Sequence, residues 1–505
     1  MDLVAALVLM AGVSLLVWVV VQKRNTGLPG ISDRSEEIVL GTMSNGLFAV
    51  PDSEFRLGKR EQSYHGFFVG RSGSGKSRAL QSIFLQHLNK GHGVGILEPH
   101  HDLSFDTLSY LVSKDFFKQK GAYKKLIYID WANGDYVPFN VLAGNQPPHT
   151  VASLALDAMM RVWPELQTAP AFQTLFLSGV STLIAAGLPI TCLHQLITEK
   201  PFRDACLTKV TDPLVHQTFQ NYEKLGKDQL QEAGSLLRRA FLLSFSPLTR
   251  YTLGQPENWL DFRRIIDDGR SIIINLGNIG DDETKQIIGA LLMVQIEQAA
   301  LSRTDLPPAK RTPFTLLVDE WASFAAQERT ISRLLSQCRK FNLRLYLAGQ
   351  SLSQVDSRRL AGALENCKLL VSFGLGRDSA VTQSHHLAAI DITQVKEPAA
   401  TPNQHNQYMS VAEQFEIWAQ QLQNLEPRYA YVKLEGREAT LIKTVNMPDA
   451  EPDPAELDRV LRTYRRIYQR TQEQANEAIA KLAPPDTSQT PPTNGAGPAY
   501  TRVFS

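Results

Sequence analysis

Apolar residues along this chain fall into two recurring patterns. Short continuous runs, such as GFFV at 66–69, GVGIL at 93–97, SIIIN at 271–275 and FTLLV at 314–318, read as buried strands. Between them the spacing lengthens. Leu80, Ile83, Phe84 and His87 share one face of a predicted helix over 79–88, and KQIIGALLMVQIEQAAL at 285–301 keeps the helical period. Residues 37–69 alternate apolar runs with turns such as SNG and PDSE, which predicts a few strands leading into a glycine-rich loop. Further strands are predicted in KLIYIDWANGDYVPFNVL, LRLYLAGQS and KLLVSFGLG. Strand, helix, strand, helix is the signature of an α/β fold with a mostly parallel central sheet.

The pattern changes between 150 and 250. ASLALDAMMRVWPEL, QTLFLSGVSTLIAAG and DQLQEAGSLLRRAFLLSF are helical in period and strand signals nearly vanish, so an all-helical insertion is expected there. It divides the α/β core into a first part, 25–149, and a second part, 251–447. After Pro448 a charged helix is predicted over 454–482, with Leu457, Val460, Leu461, Tyr464 and Ile467 as an apolar stripe that packs on the core. The segment APPDTSQTPPTNGAGPAYTRVFS that ends 448–505 is rich in Pro, Thr and Gly, the composition of a disordered tail.

The first 24 residues form a unit of their own. Residues 3–21 carry no charge, and 19 residues of helix cover about 28 Å, close to the hydrocarbon thickness of a bilayer. Asp2 precedes the run, and Lys23 and Arg24 follow it. That charge order fits a single-pass inner-membrane anchor with the bulk of the chain cytoplasmic better than it fits a cleaved signal peptide. The rest of the composition is that of a folded globular protein, with 43% hydrophobic and 20% charged residues. A formal net charge of +1 argues against a protein that coats nucleic acid through bulk positive charge, though not against one that grips it with a few residues. The four cysteines lie far apart, without the spacing of a zinc site or a disulfide framework.

The glycine-rich loop is where chemistry enters. GRSGSGKS, residues 70–77, matches the phosphate-binding pattern G-x-x-x-x-G-K-[ST] between a strand and a helix. In that reading Gly70, Arg71, Ser72, Gly73, Ser74 and Gly75 present backbone N–H groups to the phosphates of ATP. Lys76 reaches the β- and γ-phosphates, and the Ser77 hydroxyl ligates Mg²⁺. A chance glycine turn is the bland alternative; the strand before it and the helix after it weigh against that. FTLLVDE ends a strand in two carboxylates. Asp319 is assigned to the Mg²⁺ shell and Glu320 to the attacking water, against the alternative of surface acids at a strand end. Gln350 ends a further strand, from which it could sense the γ-phosphate. Arg339, in the turn before that strand, is either an arginine reaching a neighbouring subunit's nucleotide or a helix-terminal residue favoured by the dipole.

Taken together, SYHGFFVGRSGSGKS, GILEPHHDL, VPFNVL, the helical insertion, LLVDEWASF and SQCRKFNLRLYLAGQSLSQV resemble type IV secretion coupling proteins of the TraG/TraD type, within the FtsK/HerA-like ATPases. The resemblance spans about residues 37–385. It implies a RecA-like, ATP-hydrolysing motor that assembles as a homo-hexameric ring at the membrane and threads single- or double-stranded DNA toward a secretion channel. Relaxase-type and channel proteins would be its partners. By position, Arg339 then matches the family's trans-acting finger and Gln350 its glutamine, with Arg377 in FGLGRDSA as a competing finger. Two departures stand out: one apolar run where such proteins commonly have two, and Glu98 and NVL where relatives often carry Asp and NPL. The adjacent pairs His100–His101 and His385–His386 lack a metal-ligand pattern and are read as structural. A double-stranded DNA motor for segregation or repair is the nearest rival function. A nucleotide-switched platform that recruits proteins for secretion is the rival from another class.

Overall fold

The computed structural model describes residues 36–44, 49–131, 134–144, 146–224, 227–323, 334–350, 362, 365–397 and 407–482. The apolar run at 3–21 and the tail at 483–505 lie outside the described residues. Among the described residues no helix is long and apolar enough to cross a membrane.

The chain builds one sheet of 11 strands. Its parallel part comprises β3 (His65–Val69), β4 (Gly93–Glu98), β5 (Leu126–Asp130), β6 (Ser271–Asn275), β7 (Phe314–Val318), β8 (Leu343–Gly349) and β9 (Cys367–Ser372), in the spatial order 9-3-8-7-4-6-5. Beyond β9 the sheet turns antiparallel through β12 (Tyr429–Leu434), β13 (Thr440–Thr444), β1 (Ile38–Ser44) and β2 (Ala49–Leu57). β10 (Val395–Glu397) and β11 (Gln407–Tyr408) make a separate hairpin pair. The sequence reading does not anticipate β12 and β13. They alternate buried and half-buried residues, as strands with one wet face do, and so lack the continuous apolar runs of the parallel strands.

Every residue of β3, β4, β6 and β7 is buried, because helices cover both faces of the parallel region. The side chains divide by the two-residue period: Phe67 and Val69 enter one core, Phe68 the other. One face is covered by α1 (Lys76–Asn89) and α2 (Asp102–Ser113). Between β5 and β6 the described residues form helices and no strand: α3 (Pro148–Val162), α4 (Pro170–Ala186), α5 (Leu193–Thr198), α6 (Lys200–Leu207), α7 (Pro213–Tyr222), α8 (Lys227–Phe245) and α9 (Pro247–Leu253), followed by the short helix Phe262–Asp267. These pack into the same core as α10 (Asp282–Leu301) on the opposite face. Among the described residues an ion pair crosses between them. Arg161 of α3 donates to Glu297 of α10 at 2.7 Å, with each side chain 1% exposed, and also to Asp157 at 3.1 Å.

After β9 come α11 (Arg377–Leu387) and α12 (Val411–Gln423), which precede β12. The predicted helix over 454–482 is two helices, α13 (Pro454–Tyr468) and α14 (Gln472–Ala480). Gln469 is extended, Arg470 exchanges two backbone hydrogen bonds with Tyr136, and Thr471 with Gln474 forms a capping box that starts α14. The T-x-x-Q pattern was the available signal for that restart. Of the predicted stripe, Val460 and Tyr464 are buried and Leu457 and Leu461 are half-buried on the sheet, while Ile467 is exposed. The Tyr464 hydroxyl donates to the Leu126 carbonyl at 2.8 Å and ties α13 to the edge strand β5.

Two stability predictions follow from this packing. Removing Glu297 leaves a buried guanidinium paired, among the described residues, with Asp157 alone. Glu297→Ala should cost about 3 kcal/mol in chemical denaturation, whereas Arg161→Met with Glu297→Leu should be near neutral. The second concerns His65, the first residue of β3, whose Nδ1 accepts the Leu345 amide at 2.9 Å and so joins β3 to β8. Burial pushes its pKa down to about 4; the Leu335 carbonyl offsets part of this and the Arg339 charge adds to it. The fold therefore favours the neutral ring. His65 contributes full stability above pH 6.5 and loses it as the pH falls toward 4, at most about 3 kcal/mol in all. The thermal midpoint should fall between pH 7 and 5, and fall less steeply in His65→Gln.

Candidate active site

The phosphate-loop sequence leaves the end of β3 at a point held from both sides. The Gly70 amide donates to the Gly349 carbonyl at the end of β8 (3.2 Å), and the Arg71 amide to the Gly374 carbonyl beyond β9 (2.9 Å). A Cβ on Gly70 would lie 2.6 Å from both Phe373 Cβ and Ser74 Oγ, so no larger residue fits. Gly75 caps α1 at φ 99°, a conformation that L side chains rarely adopt. Behind it the Arg428 amide donates to the Ser74 carbonyl at 2.8 Å. The outcome is a fixed turn that directs the free amides and partial positive charge at the start of α1 toward one place. Ser74 Oγ is buried with no hydrogen-bond partner among the described residues; an anion in the cradle would supply one.

Asp319 and Glu320 follow β7, two strands away in the sheet. Lys76 Nζ lies 3.6 Å from Asp319 Oδ1 and Ser77 Oγ 3.5 Å from Asp319 Oδ2, so the three groups predicted to share phosphate and metal are brought together. Glu320 is 7% exposed and holds φ at 43°, in the left-handed region, while its amide donates to Asp319 Oδ1 at 3.0 Å. Such strain in a non-glycine residue costs on the order of 1–3 kcal/mol and persists where the surroundings over-determine it. A hydroxyl and a carboxylate are the hard oxygen donors that Mg²⁺ takes from protein, with phosphates and water completing its shell. No cluster of three His, Cys, Asp or Glu that could hold a metal by itself occurs among the described residues. The donor set thus fits a Mg²⁺ that arrives with the nucleotide.

Glu98 belongs to this neighbourhood more fully than its mild departure from the family pattern implied. Its carboxyl, 1% exposed, accepts the amides of Leu103 (2.8 Å) and Ser104 (2.6 Å) and so caps α2. Burial pushes its pKa up to about 7; the hydrogen bonds from Leu103 and Ser104 pull the other way, and the Asp319 charge adds to the rise. His101, at φ 85°, forms a 2.6 Å hydrogen bond with Asn275 at the end of β6 and stacks on Phe105. That is a structural role for one member of the histidine pair.

Gln350 is exposed and lies one residue past β8, next to the carbonyl that anchors Gly70. Arg339 is elsewhere. It occupies the 3-10 turn Cys338–Phe341 that enters β8, and its guanidinium lies over the Tyr64 ring at 5.2 Å. Tyr64 directly precedes β3, so the length of that strand, about 16 Å at 3.3 Å per residue, separates Arg339 from its own phosphate loop. The rival arginine, Arg377, is at the loop end of the sheet but forms a two-bond fork with Glu416 (2.6 Å each). Sequence reasoning gave no role to Tyr64, although it lies in the quoted SYHGFFVGRSGSGKS, or to Arg428, which lies in none of the quoted stretches; only the sheet brings them to its two ends.

No family model matches this chain, and no curated protein matches it in sequence. Solved structures do. The bacterial conjugative coupling protein TrwB, in its unbound monoclinic form, aligns with a TM-score of 0.57 and 17% identity over 79% of this chain and 89% of that one. The plasmid coupling protein TrwB with the non-hydrolysable GTP analogue GDPNP gives 0.57 and 18%, over 85% and 99%. TrwB in complex with ADP and Mg²⁺ gives 0.57 and 17% over the same shares. The chain therefore has an α/β fold, built on a large and mostly parallel sheet, that is similar to that of the coupling protein TrwB over most of its length.

Proposed function

We propose that this chain is the subunit of an ATP-hydrolysing ring motor that moves DNA, alone or with attached protein, toward a secretion channel at a membrane. One observation carries the reading. Two sets of side chains suited to phosphoryl transfer lie at opposite ends of the same strand. Lys76, Ser77, Asp319 and Glu320 stand at the end of β3 that bears the loop, and Arg339 stands at the other. A subunit cannot bring its own Arg339 to its own nucleotide, but a head-to-tail neighbour can. Arg339 is exposed where β8 begins, on the face from which a neighbouring subunit could be reached.

In the assembled site the loop amides and Lys76 bind the β- and γ-phosphates. Ser77 and Asp319 would hold Mg²⁺, which when bound would supply neutralising charge to the phosphate oxygens. Glu320 orients a water in line with the γ-phosphorus and accepts its proton. A P–O bond forms as the bond to the β–γ bridging oxygen breaks, leaving ADP and phosphate. Gln350, beside the loop, registers whether the γ-phosphate is present. The neighbour's Arg339 meets the charge that develops on the transferred group. The uncharged stretch at 3–21 supports a membrane anchor for the ring, and relaxase-type and channel proteins are the partners this reading expects.

The test is ATP hydrolysis by the full chain in detergent, with and without single- and double-stranded DNA. Turnover should rise steeply with protein concentration and with one DNA form. Glu320→Gln should lower kcat by about 10²–10⁴-fold while ATP still binds, and Arg339→Ala by about 10³-fold or more. Tight ATP binding with no response to DNA would overturn the motor and leave a nucleotide-switched platform.

A further inference from the structure

We infer that Tyr64 is a positioning residue for the arginine that each subunit lends to its neighbour, an inference that rests on the trans role of Arg339 proposed above. The Arg339 guanidinium lies 5.2 Å from the Tyr64 ring centroid, and Lys368 Nζ lies 5.7 Å from the same centroid. Among the described residues Arg339 has no ion pair, and its side chain is otherwise exposed. An exposed arginine with four rotatable bonds samples many orientations, so the ring face is what selects one. Lys368 is itself held by Glu435 at 2.5 Å, which leaves the shared ring to Arg339 as its defined support.

Tyr64 is suited to that task by its own fixing. It is 6% exposed and packs in the core beneath α1, and its amide donates to the Glu61 carbonyl at 3.0 Å. His65, the next residue, ties the start of β3 to β8, the strand that Arg339 enters. Ring and arginine are thereby held from two adjacent strands in register. The same β3 carries the phosphate loop at its far end, so Tyr64 connects the lent arginine to the lender's own nucleotide cradle through five residues of buried strand.

The experiment uses the full chain in its DNA-stimulated ATPase assay. Tyr64→Leu keeps an apolar body in the core and removes the ring face, and it should lower kcat about three- to tenfold with KM for ATP unchanged. Tyr64→Phe keeps the ring and should restore kcat to within about twofold of the parent. In an Arg339→Ala background, Tyr64→Leu should cost nothing further, because a residue that acts only through Arg339 has nothing left to position. Mixing Tyr64→Leu subunits with Lys76→Ala subunits, which retain an intact ring and arginine, should give more activity than either alone. If Arg339→Ala lowers kcat and Tyr64→Leu does not, the positioning role is wrong while the trans arginine stands. If Arg339→Ala itself leaves kcat unchanged, the trans arginine fails first. An undiminished loss from Tyr64→Leu in the Arg339→Ala background, or a loss that Tyr64→Phe shares, would mean general damage to the fold and would also overturn the inference.

Discussion

The parallel pairing of β3 between β8 and β9 is the constraint on which the rest of this molecule depends. Val69 aligns with Gly349 on one side and Ser372 on the other, so three strands end level and their following loops meet. The Gly70 and Arg71 amides then have carbonyls to either side before any ligand arrives. A slip of one residue would turn Phe67 and Phe68 to the wrong cores and carry the loop out of reach of Asp319. The cost of such a slip is several buried aromatic and aliphatic side chains at once, each worth on the order of 1.5–3 kcal/mol. The register is therefore secured by packing, and the site is secured by the register.

Electrostatics at the site follow from burial. Asp319, Glu320 and Glu98 are buried carboxyl groups, and Lys76 is the cation that pairs with Asp319 among the described residues. Glu98 answers by favouring its protonated form and by binding the first amides of α2. Such a concentration of acid is costly by itself and would be offset by a divalent cation arriving with a nucleotide. The two helix starts, α1 facing the loop and α2 facing Glu98, place their partial positive charge where negative groups gather.

Much of this arrangement could be read from the residues alone, and the portions that could not have a common cause. The continuous runs in β3, β4, β6 and β7 announce a sheet covered on both faces, and GRSGSGKS announces its own turn. Strands β12 and β13 alternate and carry Tyr and Lys on their wetter faces, so a hydrophobic scan passes over them. The break at Gln469 arises from a pairing with Tyr136, more than 300 residues earlier, which local period cannot foresee. Tyr64 and Arg428 are ordinary residues in sequence. Each gains its place because a strand delivers it to one end of the sheet, and no spacing rule encodes that.

The backbone of Glu320 has a further implication. A carboxylate-bearing residue sits at φ 43°, a shape for which glycine would be the comfortable choice. Evolutionary drift toward stability would push this position toward glycine, and the protein that resulted would be hardier but would lack the carboxylate that the proposed hydrolysis requires. The strained glutamate is thus a point where durability and work are set against each other, held in place by the buried Trp321 that follows it and packs edge-on to Phe67. Ancestral or consensus redesign that scores positions by stability alone would erase the residue to which the proposed mechanism gives the attacking water.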